Sequence, residues 1–179
     1  MNENLEFEYT VRKKVEGSYL IKRILFIIGY VIFALAFFFG LYLAHLYQFI
    51  AFIVLVEWIL VFFTWRYAAI EYRYETVSGG IKFINVYGGK KKKTVLDMRI
   101  KDFDAIAPYD EEIKKNIANN IYSEVYDFSP SVNKDEDKYY ALFKTPDGKS
   151  AIVLFEATQQ SLKIFRFYNQ RTTVINTRY

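Results

Sequence analysis

Cysteine is absent from this chain of 179 residues, and charged residues are absent from a long part of it. Without cysteine, a disulfide scaffold, a cysteine-based zinc site and a thiol enzyme are all excluded. No Asp, Glu, Lys or Arg occurs in residues 24–56, and Glu57 is the only one in residues 24–65. A soluble globular domain does not leave such a stretch uncharged, whereas a pair of membrane helices does. The composition therefore excludes a plain soluble protein.

Two apolar segments, at about residues 24–44 and 46–67, predict a transmembrane hairpin within residues 21–68. At about 1.5 Å of rise per residue, the first segment is long enough to cross a hydrocarbon core of about 30 Å. Lipid favours the helical form, because each backbone N–H and C=O must be satisfied within its own segment. Only a short polar patch around His45 separates the segments. The two helices must therefore run antiparallel.

Basic residues lie at one end of this hairpin. They precede the first segment and follow the second, while the connecting loop has no Lys or Arg. The positive-inside rule predicts that both termini are cytoplasmic and that the loop lies outside. A cleaved signal peptide explains the first segment less well, because its apolar part is too long and the leader is rich in glutamate. The predicted interfacial anchors are Arg23, Tyr47, Trp65, Arg66 and Tyr67.

Residues 1–20 form a predicted cytoplasmic segment before the hairpin. Leu5, Phe7, Tyr9 and Val11 alternate with polar residues, which predicts a half-buried strand over residues 5–11. Because both ends of the hairpin face the cytoplasm, this strand can add to an edge of a sheet formed by the later residues. A disordered leader explains the same segment equally well.

Glu57 is the one acidic residue inside the predicted second helix. With the turn near His45, it lies at about the depth of Leu35, where neighbouring side chains of the first helix offer no hydrogen bond. A carboxylate in a membrane is a functional candidate. One interpretation is a protonated side chain that fills a local gap or pairs with another copy. The other is proton or ion handling, which would require oligomers because two helices cannot enclose a pathway.

The residues after the second helix predict a mainly β domain at 69–179. The glycine pairs Gly79-Gly80 and Gly88-Gly89 suit tight hairpin turns and predict a three-stranded meander. A polar loop is predicted at residues 129–137. Strands are predicted at residues 69–77, 81–87, 93–98, 103–107, 121–128, 138–144 and 150–156.

Two helices complete the predicted domain. Asp110 is placed as the N-cap of a short helix, and Thr158 as the N-cap of a last helix at residues 159–169. Several antiparallel strands followed by a terminal helix outline a PH-like antiparallel barrel or sheet. The fold class is therefore a membrane α-helical hairpin plus a mainly β, α+β cytoplasmic domain.

The stretch YRYETVSGGIKFINVYGGKKKKTVLDMRIKDFDAIAPY, directly after the hairpin, resembles bacterial PH-like domains tethered beneath a membrane hairpin. The chain is also similar to an uncharacterised family of small two-helix membrane proteins from Firmicutes. That family shares the segment Ala107-Pro108-Tyr109 and the strand end Leu154-Phe155-Glu156. The resemblance covers most of the chain and implies a multi-pass protein of the bacterial plasma membrane. Its motifs are structural and transfer no activity, since a fold does not fix a function.

Lys90, Lys91, Lys92 and Lys93 form the densest charge in the chain. The first strand leaves the membrane and the second returns, so the turn at Gly88-Gly89 points back towards the bilayer. There the lysines would meet anionic headgroups, at about 1 kcal/mol per residue near the surface. A solvated hairpin end is the alternative interpretation.

No other pattern in the sequence predicts chemistry. The residues around Gly89-Lys90 do not match a phosphate-binding loop, and neither a nucleophile motif nor a metal-ligand pattern occurs. The net charge of +4 gives no case for nucleic-acid binding. We therefore expect no enzyme, no cofactor and no metal. We expect an adaptor or binding module that contacts a protein partner, membrane lipid or both, with a second copy as a further partner. The alternative is a small subunit of a transport or channel-like assembly that uses Glu57 at the helix interface.

Overall fold

The computed structural model of the chain describes residues 6–131 and 137–175. Leu5 of the predicted first strand and residues 132–136 of the predicted polar loop lie outside the described residues. The chain folds into two compact units, which we call the helical unit and the β unit. The helical unit comprises Val15–Ile70 and Val86–Lys91, and the β unit comprises Met1–Lys14, Glu71–Asn85 and Lys92–Tyr179.

Helix α1 (Gly17–Leu43) is the one helix in the described part of the chain that is long and apolar enough to cross a membrane. It has 27 residues and begins before the predicted apolar segment. The helix therefore begins within the predicted N-terminal segment, and the cytoplasmic location of residues 1–20 stays a prediction. Membrane thickness sets the length of an apolar stretch, but a helix continues through flanking Lys and Arg, which are good helix formers.

Helix α2 (Phe52–Thr64) is shorter than the continuous helix predicted at residues 46–67. A 3-10 turn at Tyr47–Phe49 precedes it, and a second 3-10 turn at Trp65–Ala68 follows. The chain reverses at His45, which has a φ of 56°. The tight i to i+3 hydrogen bonds after that reversal take the place of the first α-helical turns.

The two helices run antiparallel and are joined by one polar contact. The Tyr30 hydroxyl and Thr64 Oγ1 lie 2.7 Å apart. Thr64 uses its single proton to donate to the Leu60 carbonyl, so Tyr30 is the donor in the contact with Thr64. The remaining side chains of both helices are mainly apolar and largely exposed.

Sheet A contains four strands in the order β1-β2-β3-β4. Its first strand, β1, is the N-terminal segment where the alternating pattern predicted a strand. It pairs antiparallel with β2, from Phe7 opposite Thr76 to Arg12 opposite Glu71. The segment between β1 and β2 is therefore an insertion into the sheet. The strands are β1 (Phe7–Arg12), β2 (Ile70–Val77), β3 (Gly80–Tyr87) and β4 (Lys91–Arg99).

Sheet B has the order β5-β7-β8-β6, and its β6–β8 pair is parallel. This corrects the expectation of antiparallel pairing throughout. The hairpin of β7 and β8 is antiparallel. Strand β6 lies on the far side of β8 and runs opposite to β7, so it must run parallel to β8. The strands are β5 (Ala105–Pro108), β6 (Glu124–Asp127), β7 (Lys138–Lys144) and β8 (Ser150–Glu156).

Helices α3 (Glu111–Ala118) and α4 (Gln159–Tyr168) begin at the predicted caps. The Ile113 amide donates to Asp110 Oδ1 over 2.9 Å. Thr158 forms a capping box with Ser161. Each cap satisfies an amide that the first helical turn leaves without a partner.

Aromatic side chains fill the core of the β unit. The Phe83 ring is fully buried and stacks on Phe128, with ring centroids 5.1 Å apart. The Phe155 ring of sheet B lies 5.7 Å from Phe83 of sheet A and 5.6 Å from Phe165 of α4. One aromatic cluster thus joins both sheets and the last helix.

Candidate membrane-facing site

The basic turn between β3 and β4 packs against the 3-10 turn after α2. The Gly88 amide donates to the Ala69 carbonyl over 2.9 Å. Gly88 has a φ of 58°, and a Cβ atom there would lie 2.6 Å from Arg66 Cβ. Glycine is therefore required both by the backbone conformation and by the close approach of Arg66. This contact places the basic turn at the end of the apolar helices.

Four of the predicted interfacial anchors lie at this same end of the helical unit. The Arg23 guanidinium lies 5.0 Å from the centre of the Trp65 ring, which links the start of α1 to the end of α2. The Arg66 guanidinium lies 5.2 Å from the centre of the Tyr67 ring. The Tyr67 ring is in turn 6.3 Å from Tyr87, the last residue of β3. Cationic and aromatic groups therefore alternate along this end of the unit.

Tyr47, the fifth predicted anchor, lies at the opposite end of the helical unit. Its hydroxyl is 2.9 Å from His45 Nδ1, and its ring is 5.6 Å from that of Tyr42. Residues 44–51 include no Asp, Glu, Lys or Arg. The two ends thus differ in chemistry. One has basic and aromatic side chains, whereas the other has aromatic side chains but no Lys or Arg.

The four predicted headgroup lysines lie in the β3–β4 turn and at the start of β4. Lys90 and Lys91 belong to the helical unit, whereas Lys92 and Lys93 belong to the β unit. Lys92 Nζ lies 3.7 Å from Glu75 Oε1 of β2, so its charge is partly compensated. All four side chains are exposed. Lys90 and Lys91 follow the glycine pair whose first member lies against Arg66, and the contact of the four lysines with headgroups stays a prediction.

Tyr19 is a buried residue that sequence analysis did not single out. Its hydroxyl donates to the Ala68 carbonyl and accepts from the Ile70 amide, the latter over 3.1 Å. Tyr19 thus holds the start of α1 against the chain that leaves α2. A tyrosine in a segment interpreted as a leader has no distinguishing signal, because both its partners are backbone groups.

Glu57 lies on the side of α2 that faces α1. It is seven residues from Thr64, and Phe37 is seven residues from Tyr30, so the Tyr30–Thr64 contact places Glu57 at about the level of Phe37. This corrects the depth predicted from the turn, which was that of Leu35, because the turn is longer than expected. Glu57 Oε2 is buried and has no hydrogen-bond partner in the described part of the chain.

Tyrosine hydroxyls of β1 and β2 in sheet A hydrogen-bond to β8 and to the residue after β6 in sheet B. Tyr9 donates to Glu156 Oε1 over 2.9 Å, and Tyr74 donates to the Phe128 carbonyl over 2.6 Å. Burial, together with the hydrogen bond to Glu156, raises the pKa of Tyr9 to about 12. Burial also raises the pKa of Tyr74. The strand that leads into the helical unit is therefore anchored on both sheets.

Residues 6–131 and 137–175 contain no group of three or more His, Asp or Glu side chains that could hold a metal ion. The prediction of no enzymatic activity and no cofactor stays a prediction.

A model of a protein family matches most of the chain. The family described as bacterial PH-like domain (DUF6106) matches residues 3–175. The match includes both apolar helices as well as the sheets, so the helical unit lies inside the region that defines the family. Neither a curated protein nor a solved structure matches the chain. PH-like domains are generally non-catalytic binding modules.

Proposed function

This chain belongs to the bacterial PH-like domain family, and we propose that it is a membrane-tethered adaptor whose basic turn contacts anionic lipid headgroups. In this proposal α1 and residues 47–68 cross the bacterial plasma membrane as a hairpin, and both termini are cytoplasmic. The resemblance to small two-helix membrane proteins of Firmicutes is part of the same proposal. The PH-like domain then provides the surface for a protein partner.

The pairing of β1 with β2 supports a hairpin rather than a single crossing. Arg12 and Glu71 are register partners, and an ion pair of 2.9 Å joins their side chains. The chain between them therefore leaves and re-enters one sheet. Such a segment crosses a membrane an even number of times. Because α1 has the length and composition for one crossing, this pairing supports residues 47–68 as the return crossing.

The dimensions of the helical unit agree with this arrangement. From Arg23 to Leu43, α1 rises about 30 Å, which is the thickness of the hydrocarbon core. Helix α2 alone rises about 20 Å. The 3-10 turns on either side, which rise about 2.0 Å per residue, extend the segment towards the same length.

The position of Gly88 against Arg66 is the observation that carries the headgroup proposal. It places Lys90 and Lys91 beside the anchors at the basic end of the helices, where the positive-inside rule expects the cytoplasmic leaflet. Each lysine near an anionic surface contributes about 1 kcal/mol. Arg66 and the adjacent residues Lys90 and Lys91 therefore belong to two segments that meet at this contact.

Single-cysteine labelling tests the topology, because the chain has no cysteine of its own. In intact cells, a membrane-impermeant maleimide should label the Gln48→Cys variant. It should label the Lys90→Cys variant only after the membrane is permeabilised. Labelling of both variants in intact cells, or of neither, would contradict the hairpin.

Depth-dependent quenching tests the headgroup contact itself. A fluorophore on the Lys90→Cys variant, reconstituted in vesicles, should be quenched by a nitroxide attached to a lipid headgroup. Quenching should be stronger with phosphatidylglycerol in the vesicle than with phosphatidylcholine alone. A Lys91→Gln substitution in the same labelled chain should reduce that difference. Equal quenching in both lipids would show that the turn does not recognise anionic headgroups.

A further inference from the structure

The outer face of helix α4 is an exposed surface of the β unit that no contact described above uses. On the inner side of this helix, the Phe165 ring packs against Phe155 in the core. Lys163, Arg166 and Phe167 are exposed on the outer side, and Phe167 is 68% exposed. Because Lys163 lies three residues before Arg166 and four before Phe167, the three side chains are neighbours on the helix surface. One helix face thus presents an aromatic ring beside two cations.

The two cations of this face are not compensated within the described part of the chain. Neither Lys163 nor Arg166 forms an ion pair there. Sheet A differs, because its Arg73 and Lys92 both pair with Glu75. Residues 157–179 contain four basic residues and no Asp or Glu. The positive charge of α4 is therefore available to an external partner.

A groove adjoins the exposed ring of Phe167. Tyr168 lines this groove, and the centre of its ring lies 5.1 Å from that of Phe167. A Cβ added at Gly79 would lie 2.8 Å from the Tyr168 ring, so the ring rests against the β2–β3 turn. Arg99 and Lys101, at and just after the end of β4, are exposed and line the same groove. Aromatic and basic groups therefore continue from α4 into the groove.

The charges in the groove favour a polypeptide over a nucleic acid. Asp102 lines the groove, as does Asp97, which lies 3.3 Å from Lys82 Nζ. These carboxylates disfavour a continuous phosphate backbone, which requires an extended basic surface. An acidic peptide segment carries carboxylates at some positions and apolar side chains at others. Such a segment matches both the cations and the exposed ring.

We infer that the outer face of α4, with the adjoining groove, binds an acidic segment of a protein partner. Lys163 and Arg166 pair with carboxylates of this segment, and Phe167 packs on one of its apolar side chains. Aromatic and Arg side chains are enriched in protein interfaces and carry much of their binding energy. The inference rests on the adaptor part of the proposed function, for which it names the surface and the chemistry of the partner. It does not depend on the headgroup contact.

Binding of a synthetic acidic polypeptide tests this surface. The full chain in phosphatidylcholine nanodiscs is titrated into a fluorescent random copolymer of glutamate and tyrosine, and fluorescence anisotropy gives the Kd. The double substitution Lys163→Gln and Arg166→Gln should raise the Kd about five- to thirty-fold. Phe167→Ala should raise it by a similar factor, because the ring anchors an apolar side chain. Poly-glutamate of the same length should bind more weakly and should not respond to Phe167→Ala.

The matched control is the double substitution Lys114→Gln and Lys115→Gln, which removes two exposed lysines from α3. Helix α3 packs on Ile152 and Leu154, whereas α4 packs on Phe155 of the same strand. Because successive side chains of a strand point to opposite faces, the two helices lie on opposite faces of sheet B. The control should therefore change the Kd by less than about twofold, since screening weakens charges at that distance.

Absence of copolymer binding, equal weakening by both double variants, or an unchanged Kd with Phe167→Ala would overturn the inference. So would tighter binding of single-stranded oligo(dT) that depends on Phe167. Near-UV circular dichroism should be the same for all variants except at the substituted ring, because each changed position is exposed. The nanodiscs contain no anionic lipid, and Gln48 and Lys90 are unchanged. Failure of this test therefore contradicts only the α4 surface, whereas the labelling and quenching experiments test the hairpin and the headgroup contact.

Discussion

Phe83 in the β unit and Phe62 in the helical unit are the same residue type in opposite surroundings. Phe83 is 0% exposed and Phe62 is 64% exposed. This difference extends to the units as wholes. The β unit buries its aromatic residues against one another, whereas the helical unit presents a continuous apolar exterior. Exposed apolar surface on this scale indicates that the helical unit meets a partner other than water. The comparison thus separates a β unit with a buried aromatic core from a helical unit whose apolar side chains lie on its outside.

The largest effect on stability is expected from truncation of the two phenylalanines. Phe83→Ala removes a ring packed by Tyr74, Phe128 and Phe155, and should lower the free energy of unfolding of the β unit by about 3 to 5 kcal/mol. Phe62→Ala should leave that free energy within about 0.5 kcal/mol. Chemical denaturation of the full chain in lipid nanodiscs, followed by near-UV circular dichroism, measures both. Similar losses for the two variants would contradict the contrast.

A smaller effect is expected where the β3–β4 turn packs on the end of α2. Gly88→Ala and Gly89→Ala both place a side chain at positive φ, since the φ angles are 58° and 70°. A Cβ added at Gly88 would lie 2.6 Å from Arg66 Cβ, whereas a Cβ added at Gly89 would have no atom within 4 Å. Gly88→Ala should therefore be about 1 to 3 kcal/mol more destabilising than Gly89→Ala.

Thermal unfolding in nanodiscs measures this difference, and Gly89→Ala controls for the backbone strain that both substitutions share. Equal destabilisation would show that the close approach of Arg66 does not affect stability. The turn would then lose its structural link to the helices, and the proposed headgroup contact would lose its main support.

The smallest effect concerns alkaline pH and should be confined to the β unit. The folded pKa of Tyr9, about 12, lies above the ordinary value of 10.0. A raised folded pKa gives stability that is complete below pH 10 and is lost as the pH rises towards 12. Tyr9→Phe should make unfolding less sensitive to pH in that window, with Tyr74 accounting for the remaining sensitivity.

Denaturant midpoints at several pH values between about 9 and about 12 measure the slope. Tyr67→Phe is the control, because Tyr67 is an exposed tyrosine that lies in the helical unit. An unchanged slope for Tyr9→Phe would show that the hydrogen bond to Glu156 does not couple to folding.

Local signals in the sequence predicted much of the secondary structure. Asp110 and Thr158 both cap helices, because a side chain that accepts from an amide two or three residues ahead acts locally. The meander of β2, β3 and β4 follows from its glycine turns. Strand β1 was one of two alternatives for residues 5–11, since alternation alone does not say whether a partner strand is present. Pairing with Thr76 and its neighbours is a long-range contact that no local pattern contains.

The sequence predicted the interfacial anchors and the return of the basic turn towards the membrane end of the hairpin, but not the contact that joins them. Lys90 and Lys91 on one side, and Arg66 and Tyr67 on the other, were proposed for separate reasons. Their connection depends on Gly88, whose amide binds the Ala69 carbonyl. The role of Tyr19 could not be predicted, because it bonds backbone groups about fifty residues away.

The sequence by itself predicted apolar helices and a mainly β domain with a terminal helix, because uncharged length, strand alternation and helix caps are local properties of the chain. The tertiary structure decided how those parts are connected. It made the helical pair an insertion between β1 and β2, set the parallel β6–β8 pair, and brought the basic turn against Arg66. These features depend on contacts between residues far apart in the chain. Such contacts contribute to stability only when the whole chain has folded.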